Sequence, residues 1–171
     1  MVSKMHVIHP LKPIYDKNSI ILILGSFPSV KSREKQFYYG HPKNRFWSVL
    51  AKVFNEEIED NNQAKENFLL KHHIALFDVI KECEINGSSD NTIKNIIPND
   101  INKIIADSKI KYIFTVGNKA HQLYQKYLLK DTNINDTRLP STSPANCKKG
   151  IDNILYNSYK ILKLLANNES D

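Results

Sequence analysis

The stretch SIILILGSFPS, residues 19–29, decides the predicted fold. Its apolar run is six residues long, from Ile20 to Gly25, and Pro28 follows shortly after it. A short apolar run bounded by glycine and proline is typical of a buried strand that ends in a tight turn. The stretch therefore predicts a buried strand that passes directly into a loop.

Strands predicted in this way alternate with helices along the rest of the chain. Apolar runs predict further strands at residues 73–77, before Gly117 and before Pro140. Helical spacing predicts helices that begin near Asn44 and near Asp100, one directly after the third strand and one at the end of the chain. This alternation predicts an α/β fold, a three-layer sandwich with a short, mostly parallel, four-stranded central sheet flanked by helices.

In such sheets the ligand crevice lies beyond the carboxyl ends of the strands. Three predicted loops leave those ends, at residues 25–44, 117–118 and 140–148. The first loop carries FYYGHPKNRFW (residues 37–47), in which rings and cations are concentrated, and the last belongs to LPSTSPAN (residues 139–146), which is rich in hydroxyls. Rings beside cations can stack on bases and hold phosphates, but they can also simply pack a loop onto its domain.

Composition limits the class of protein. The 171 residues carry 24 lysines and arginines against 18 acids, and the positive excess lies in residues 1–50 and 111–171. A basic face would favour a polyanion such as nucleic acid, although a solvated lysine-rich surface explains the same excess. No apolar run approaches the roughly 20 residues that span a bilayer, and the start of the chain lacks the apolar core of a signal peptide. We therefore expect a monomeric, cytoplasmic protein with one domain over residues 1–171 and no membrane segment.

Neither a metal nor a nucleotide cofactor is predicted. Cys83 and Cys147 lack the paired spacing of zinc or iron–sulfur ligands. His72 and His73 would face opposite sides of a predicted strand. The turns GSFPS and VGNKAH lack the patterns of nucleotide-binding loops, and a plain turn explains Gly117 better than an anion site does.

The ordered set LILGSFPS, FYYGHPKNRFW and LPSTSPAN resembles the uracil-DNA glycosylase superfamily, and within it the hypoxanthine-DNA (deoxyinosine) glycosylase branch. LFDVIKECEINGSSD and IPNDI also resemble that branch, so the resemblance spans most of the chain. It implies a base-excision repair enzyme that needs no metal or cofactor. The implied partner is DNA carrying a deaminated base, which the enzyme flips out before it hydrolyses the N-glycosidic bond. The resemblance implies hypoxanthine as the expected base, with xanthine and uracil as further candidates.

The resemblance also implies roles for individual residues. Many relatives carry Asp or Asn two residues after the first glycine, where it positions water, but this chain has Phe27, which would be an apolar wall. Asn44 is the expected catalytic substitute, although it could instead only cap the following helix. Tyr39 stands where relatives stack a ring on the flipped base. The expected base-binding set is Gly25, Ser26, Phe27, Tyr39 and His41.

The last motif and the residues around Asn44 are expected to contact the DNA backbone. Ala145 is small at a place where relatives often carry a bulky wedge. Lys43 fits a phosphate contact better than an amine nucleophile, so a monofunctional glycosylase without lyase activity is expected. The expected DNA-binding set is Lys43, Arg45, Ser141, Thr142, Ser143, Pro144, Ala145 and Asn146.

Two other functions stay open at this point. Phe27 in the usual catalytic position suggests a catalytically inert nucleic-acid-binding module of the same fold. A nucleoside hydrolase acting on free inosine is the weaker alternative, because a neutral nucleoside needs no basic surface.

Overall fold

The computed structural model describes residues 4–86 and 89–168, and its centre is a four-stranded, all-parallel sheet in the order β3-β2-β6-β7. The strands are β2 (Ile21–Gly25), β3 (Ile74–Asp78), β6 (Tyr112–Val116) and β7 (Asp136–Leu139). Every residue of β2 and β3 is buried, as is typical of parallel strands covered on both faces. The predicted central sheet is confirmed, and it is wholly parallel.

Helices cover this sheet. They are α1 (Val30–Lys35), α2 (Phe46–Phe54), α3 (Asn62–Lys71), α4 (Asn102–Ala106), α5 (Gly117–Tyr127), α6 (Leu129–Thr132) and α7 (Ile151–Asn168). The connection from β2 to β3 runs across the sheet in one direction, and those from β3 to β6 and from β6 to β7 run in the other. Crossovers between parallel strands are almost always right-handed, and with this strand order such crossovers put their helices on opposite faces. Helix α7 packs against α2, and α5 packs against β6 and β7. The fold is therefore the predicted α/β sandwich.

A second, antiparallel sheet is not predicted from the sequence. It consists of β1 (Met5–Ile8), β4 (Ile80–Ile85) and β5 (Lys94–Pro98) in the order β1-β4-β5. A short 3₁₀ turn, Asp90–Thr92, precedes β5. Only Val79 separates β3 from β4, so the chain passes almost directly from the central sheet into this second sheet.

The structure corrects the prediction for two histidines. His72 ends α3, and His73 has a backbone φ of 60° before β3 begins. The prediction that these two histidines lie on a strand is therefore wrong. Among the described residues, no group of three or more His, Cys, Asp or Glu side chains could hold a metal ion. The helices of the described ranges also include none that is long and apolar enough to cross a membrane.

Candidate active site

Arg45 joins the loop after β2 to the loop after β7. Its backbone N–H donates to the carbonyl oxygen of Thr142 at 3.0 Å. Its guanidinium Nη1 donates to the carbonyl oxygens of Ser143 at 3.2 Å and Asn146 at 3.1 Å. The two loops that carry the sequence motifs therefore meet beyond the carboxyl ends of the parallel strands, as predicted.

Asn44 is held firmly at the start of α2. Its Oδ1 accepts the backbone N–H of Phe46 at 2.9 Å, and its own N–H donates to the carbonyl oxygen of His41 at 2.9 Å. The N-cap residue of the helix is Arg45, one position later than predicted, but the bond from Phe46 is of the capping type. An amide oxygen can accept two hydrogen bonds, and the Nδ2 donors are not used in this contact. The capping contact therefore leaves Asn44 able to bind water or a base.

Tyr39 lies with one ring face against Phe46. The ring centroids are 3.9 Å apart and the planes differ by 16°. The backbone of Tyr39 has a φ of 52°, a left-handed conformation that is uncommon for an aromatic residue and is often found at functional sites. Burial, and then the negative charge of Asp78, raise the pKa of the Tyr39 hydroxyl, so it stays protonated. The hydroxyl is buried and has no hydrogen-bond partner within the described ranges.

A buried carboxylate, Asp78, lies beside Gly25, its partner in the parallel register of β2 and β3. A Cβ added at Gly25 would be 2.5 Å from Asp78 Oδ1 and 3.1 Å from the Tyr39 hydroxyl oxygen. Only glycine therefore allows these three groups to approach one another. The other carboxylate oxygen, Oδ2, is 2.7 Å from Nε2 of His9, and the two side chains are 6% and 2% exposed.

Neither Asp78 nor His9 is predicted from the sequence as a site residue. The available signal was the aspartate at the end of the run LFD, where a strand meets the crevice edge. The rings of Phe27 and His9 form a T-shaped pair with centroids 5.9 Å apart, and the guanidinium carbon of Arg33 lies 5.7 Å from the centre of the Phe27 ring. Phe27, which is expected to be an apolar wall, therefore lies next to the pair formed by His9 and Asp78.

The loop after β7 is organised by its own polar groups. Ser141 Oγ accepts the N–H of Ser143 at 3.2 Å, Ser143 Oγ accepts the N–H of Ala145 at 3.2 Å, and Asn146 Nδ2 donates to the Ser141 carbonyl at 2.9 Å. Thr142 is only 1% exposed, so its hydroxyl is the least accessible of the predicted phosphate contacts. Ala145 is exposed.

The remaining predicted DNA contacts differ in accessibility. Lys43 is exposed, and its N–H donates to Nδ1 of His41 at 3.0 Å. Pro144 is half-buried. Arg45 also lies 3.3 Å from the carboxylate of Asp152, so its guanidinium already has three protein partners. The DNA contacts of all these residues stay predictions.

A cavity of about 630 Å³ opens beside the first loop, toward α2 and the start of α3. Asn44, Tyr39 and His41 contribute to its wall, together with Tyr38 and Trp47. Its volume lies within the range of small-molecule sites. Asp78 and the GSFPS and LPSTSPAN motifs are absent from its described lining, so it lies next to the predicted base site and not at its centre.

Comparisons with known proteins identify the family, related sequences and a related structure. A sequence model of the Uracil DNA glycosylase superfamily matches residues 13–159. The chain is 38% identical to a Hypoxanthine DNA glycosylase of Methanosarcina acetivorans over 135 residues, which cover 78% of this chain and 84% of that protein. It is 40% identical to a Hypoxanthine DNA glycosylase of Methanosarcina barkeri over 84 residues, which cover 48% of this chain and 53% of that protein. A solution NMR structure of a candidate uracil DNA glycosylase from Methanosarcina acetivorans has a TM-score of 0.80 and 32% identity, over 94% of this chain and 99% of that one.

Proposed function

The chain belongs to the uracil DNA glycosylase superfamily, and we propose that it is a monofunctional DNA glycosylase that releases hypoxanthine from deaminated DNA. The substrate follows from the two relatives named hypoxanthine DNA glycosylase. The observation that carries the proposal is the close approach of the Tyr39 hydroxyl and the buried carboxylate of Asp78 to Gly25 at the ends of β2 and β3, while Asn44 shares a cavity wall with Tyr39. Xanthine and uracil are secondary candidates.

The first step is extrusion of the damaged nucleotide. Unstacking a base costs a few kcal/mol, and less at a mispair, because fewer contacts are lost. Tyr39 has one face packed on Phe46, so its opposite face is the natural platform for the flipped base. Stacking on such a ring contributes about 1–3 kcal/mol, which offsets much of the unstacking cost.

Hydrolysis then requires a water molecule at the anomeric carbon. The bond from the Phe46 N–H fixes Asn44 Oδ1, and the second lone pair of this oxygen can orient the attacking water. The N-glycosidic bond breaks with its electron pair going to the purine, water adds to the positively charged anomeric carbon, and the proton that the water loses neutralises the departing hypoxanthine anion. Phe27 in the usual water-positioning place does not prevent this chemistry, because Asn44 supplies the polar group.

Selection of the base follows from donor and acceptor patterns. Hypoxanthine carries an N1–H donor and an O6 acceptor, whereas adenine carries a bare N1 and an amino group. The carboxylate of Asp78 accepts only, so it matches the N1–H and opposes the lone pair of adenine N1. The backbone N–H of Phe27 suits O6. A buried mismatch of this kind leaves polar groups unpaired and excludes the wrong base.

The deciding experiment is a base-release assay on a panel of single-lesion duplexes under single-turnover conditions. We expect free hypoxanthine from deoxyinosine without added metal, and a fall of roughly 100-fold or more in the rate of Asn44→Ala, the loss typical of a removed catalytic group. Asn44→Ser is the matched control for folding, because serine can still cap the helix but its shorter side chain holds the water elsewhere. An undiminished rate in a folded Asn44→Ala protein would remove Asn44 from catalysis.

Asp78→Asn tests the base-reading role separately. An amide both donates and accepts, so we expect the release of adenine relative to hypoxanthine to rise by at least about tenfold, while the protein stays folded. The measurement is the ratio of the two release rates in otherwise identical duplexes. A ratio equal to that of the wild type would show that another group reads N1.

The alternative of an inert binding module rests on Phe27. That alternative requires salt-sensitive DNA binding with no release of hypoxanthine, xanthine or uracil. Release of hypoxanthine from an oligonucleotide but not from free inosine would exclude the alternative that the protein is a nucleoside hydrolase.

A further inference from the structure

A second cavity, of about 510 Å³, lies between β5 and α5 and shares no described lining residue with the candidate active site. The polar and aromatic residues that line it are Lys94, Asn95, Lys119, Gln122, Lys126 and Tyr127. Lys94 and Lys126 are exposed and Lys119 is half-buried, so solvent reaches this groove along its length. The proposed glycosylase chemistry uses none of these side chains.

The groove carries positive charge that the described protein does not neutralise. None of its described lining residues is acidic, and no ion pair joins its three lysines to an acid within the described ranges. Glu84 is the cross-strand neighbour of Lys94, but the two form no salt bridge. In the cavity beside Asn44, by contrast, Lys65 is paired with Asp60 at 2.9 Å. The β5–α5 groove therefore attracts an anion more strongly than the other cavity does.

The groove also starts close to the loop after β7, which carries several of the expected DNA contacts. A Cβ at Gly117, the first residue of α5, would lie 3.4 Å from the Cβ of Ser141. Lys119 is in the first turn of this helix, and Lys126 lies about 10 Å farther along its axis at a rise of 1.5 Å per residue. One strand of DNA carries a phosphate about every 3.4 Å of duplex axis, so this length corresponds to roughly three phosphates.

We propose that the β5–α5 groove binds the phosphate backbone of the DNA that flanks the lesion. The lysines supply charge, and the amides of Asn95 and Gln122 can donate to phosphate oxygens. The proposal rests on the proposed function, because it assumes that damaged DNA is the substrate. The groove contributes to affinity for the flanking duplex and takes no part in bond cleavage.

The test compares two charge-matched triple variants. The groove variant changes Lys94, Lys119 and Lys126 to Gln, and the control variant changes Lys17, Lys109 and Lys163 to Gln. Lys17 and Lys109 lie in the segments that lead into β2 and β6, near the amino edge of the sheet, and Lys163 is in the second half of α7. Affinity for a deoxyinosine duplex is measured against salt concentration, with full flanks and with the 5′ or 3′ flank trimmed close to the lesion.

We expect the groove variant to lower the slope of log affinity against log salt by about 2–3, at about 0.9 per lost phosphate contact. Its loss of affinity should disappear when one particular flank is trimmed, and the rate of base release within the fully formed complex, measured at saturating protein concentration, should match the wild-type rate. The control variant should lose less slope and show no flank dependence. The proposal would be overturned if the two variants lost the same salt slope. It would also be overturned if the groove variant still bound more weakly than the wild type whichever flank was trimmed. A wild-type protein that binds with this flank dependence but releases no base would refute the glycosylase function and leave the groove intact.

Discussion

The two adjacent tyrosines of the first loop have different local environments. The Tyr38 hydroxyl donates to the carbonyl oxygen of Lys12 at 2.6 Å, whereas the Tyr39 hydroxyl is buried with no partner in the described protein. A buried, unsatisfied hydroxyl costs about 1–3 kcal/mol. Tyr39 also has a left-handed backbone. Both features lower stability locally and are consistent with a residue placed for binding.

Replacing each hydroxyl separately tests this difference. Tyr39→Phe removes an unsatisfied group and keeps the stacking ring, so we expect the free energy of unfolding to rise by about 1 kcal/mol. Tyr38→Phe removes a satisfied bond and should lower it by about the same amount. Urea unfolding of the two variants and the wild type gives both values. Equal destabilisation in the two variants would mean that the Tyr39 hydroxyl has a partner in solution.

Only some of the site residues could be predicted individually. The roles expected of Asn44 and Tyr39 rest on the resemblance of one compact motif to a known family, and they stay predictions. The pair formed by His9 and Asp78 joins residues 69 positions apart, and nothing in the spacing of either residue signals the other. Its discovery required the register that places Asp78 beside Gly25.

Arg45 links α2 to the loop after β7 through its side chain as well as through its backbone. Arg45 donates to two carbonyl oxygens of that loop, and charged hydrogen bonds of this kind contribute about 1.5–3 kcal/mol each. Because the glutamine amide can keep one of the two bonds, we expect Arg45→Gln to lower the free energy of unfolding by about 2 kcal/mol and to weaken DNA binding through a less firmly positioned loop. Denaturant unfolding and binding to a lesion duplex measure the two effects.

Asp152→Asn is the control for this prediction. Asp152 also contacts Arg45, but its side chain is 84% exposed, so its loss should change stability by less than about 1 kcal/mol. If Asp152→Asn destabilised the protein as much as Arg45→Gln, the ion pair and not the carbonyl contacts would hold the loop.

Whole elements were predicted where burial makes their pattern simple. β2 and β3 are buried along their full length, so their apolar runs identified them. β4 mixes buried and charged positions, and β5 pairs with it through register shifts. Neither strand has a continuous apolar run or clean alternation, so the antiparallel sheet left no clear signal in the sequence.

At the scale of the whole molecule, the distribution of charge and the fold agree with each other. The net charge of +6 suggested a polyanion partner but not its location. The fold places the motif-bearing loops at one edge of the parallel sheet, and the lysines of the β5–α5 groove continue from that edge along α5. Local chemistry and global electrostatics therefore support DNA as the ligand through separate observations.

Buried tyrosines set the response of the whole fold to alkaline pH. Burial raises the pKa of Tyr38, Tyr39 and Tyr159 above its usual value, and the negative charge of Asp78 adds to this for the first two. The folded chain therefore holds protons that the unfolded chain releases near pH 10, so stability is unaffected at lower pH and falls as the pH rises beyond about 10. We expect the free energy of unfolding to drop by up to about 1.4 kcal/mol per pH unit for each such tyrosine above that point.

The variant Tyr159→Phe should show a shallower slope of the free energy of unfolding against pH, although it loses the bond to the Pro140 carbonyl at 2.7 Å. Urea unfolding between pH 8 and 11 measures these slopes, and an equal slope in the variant and the wild type would contradict the assignment.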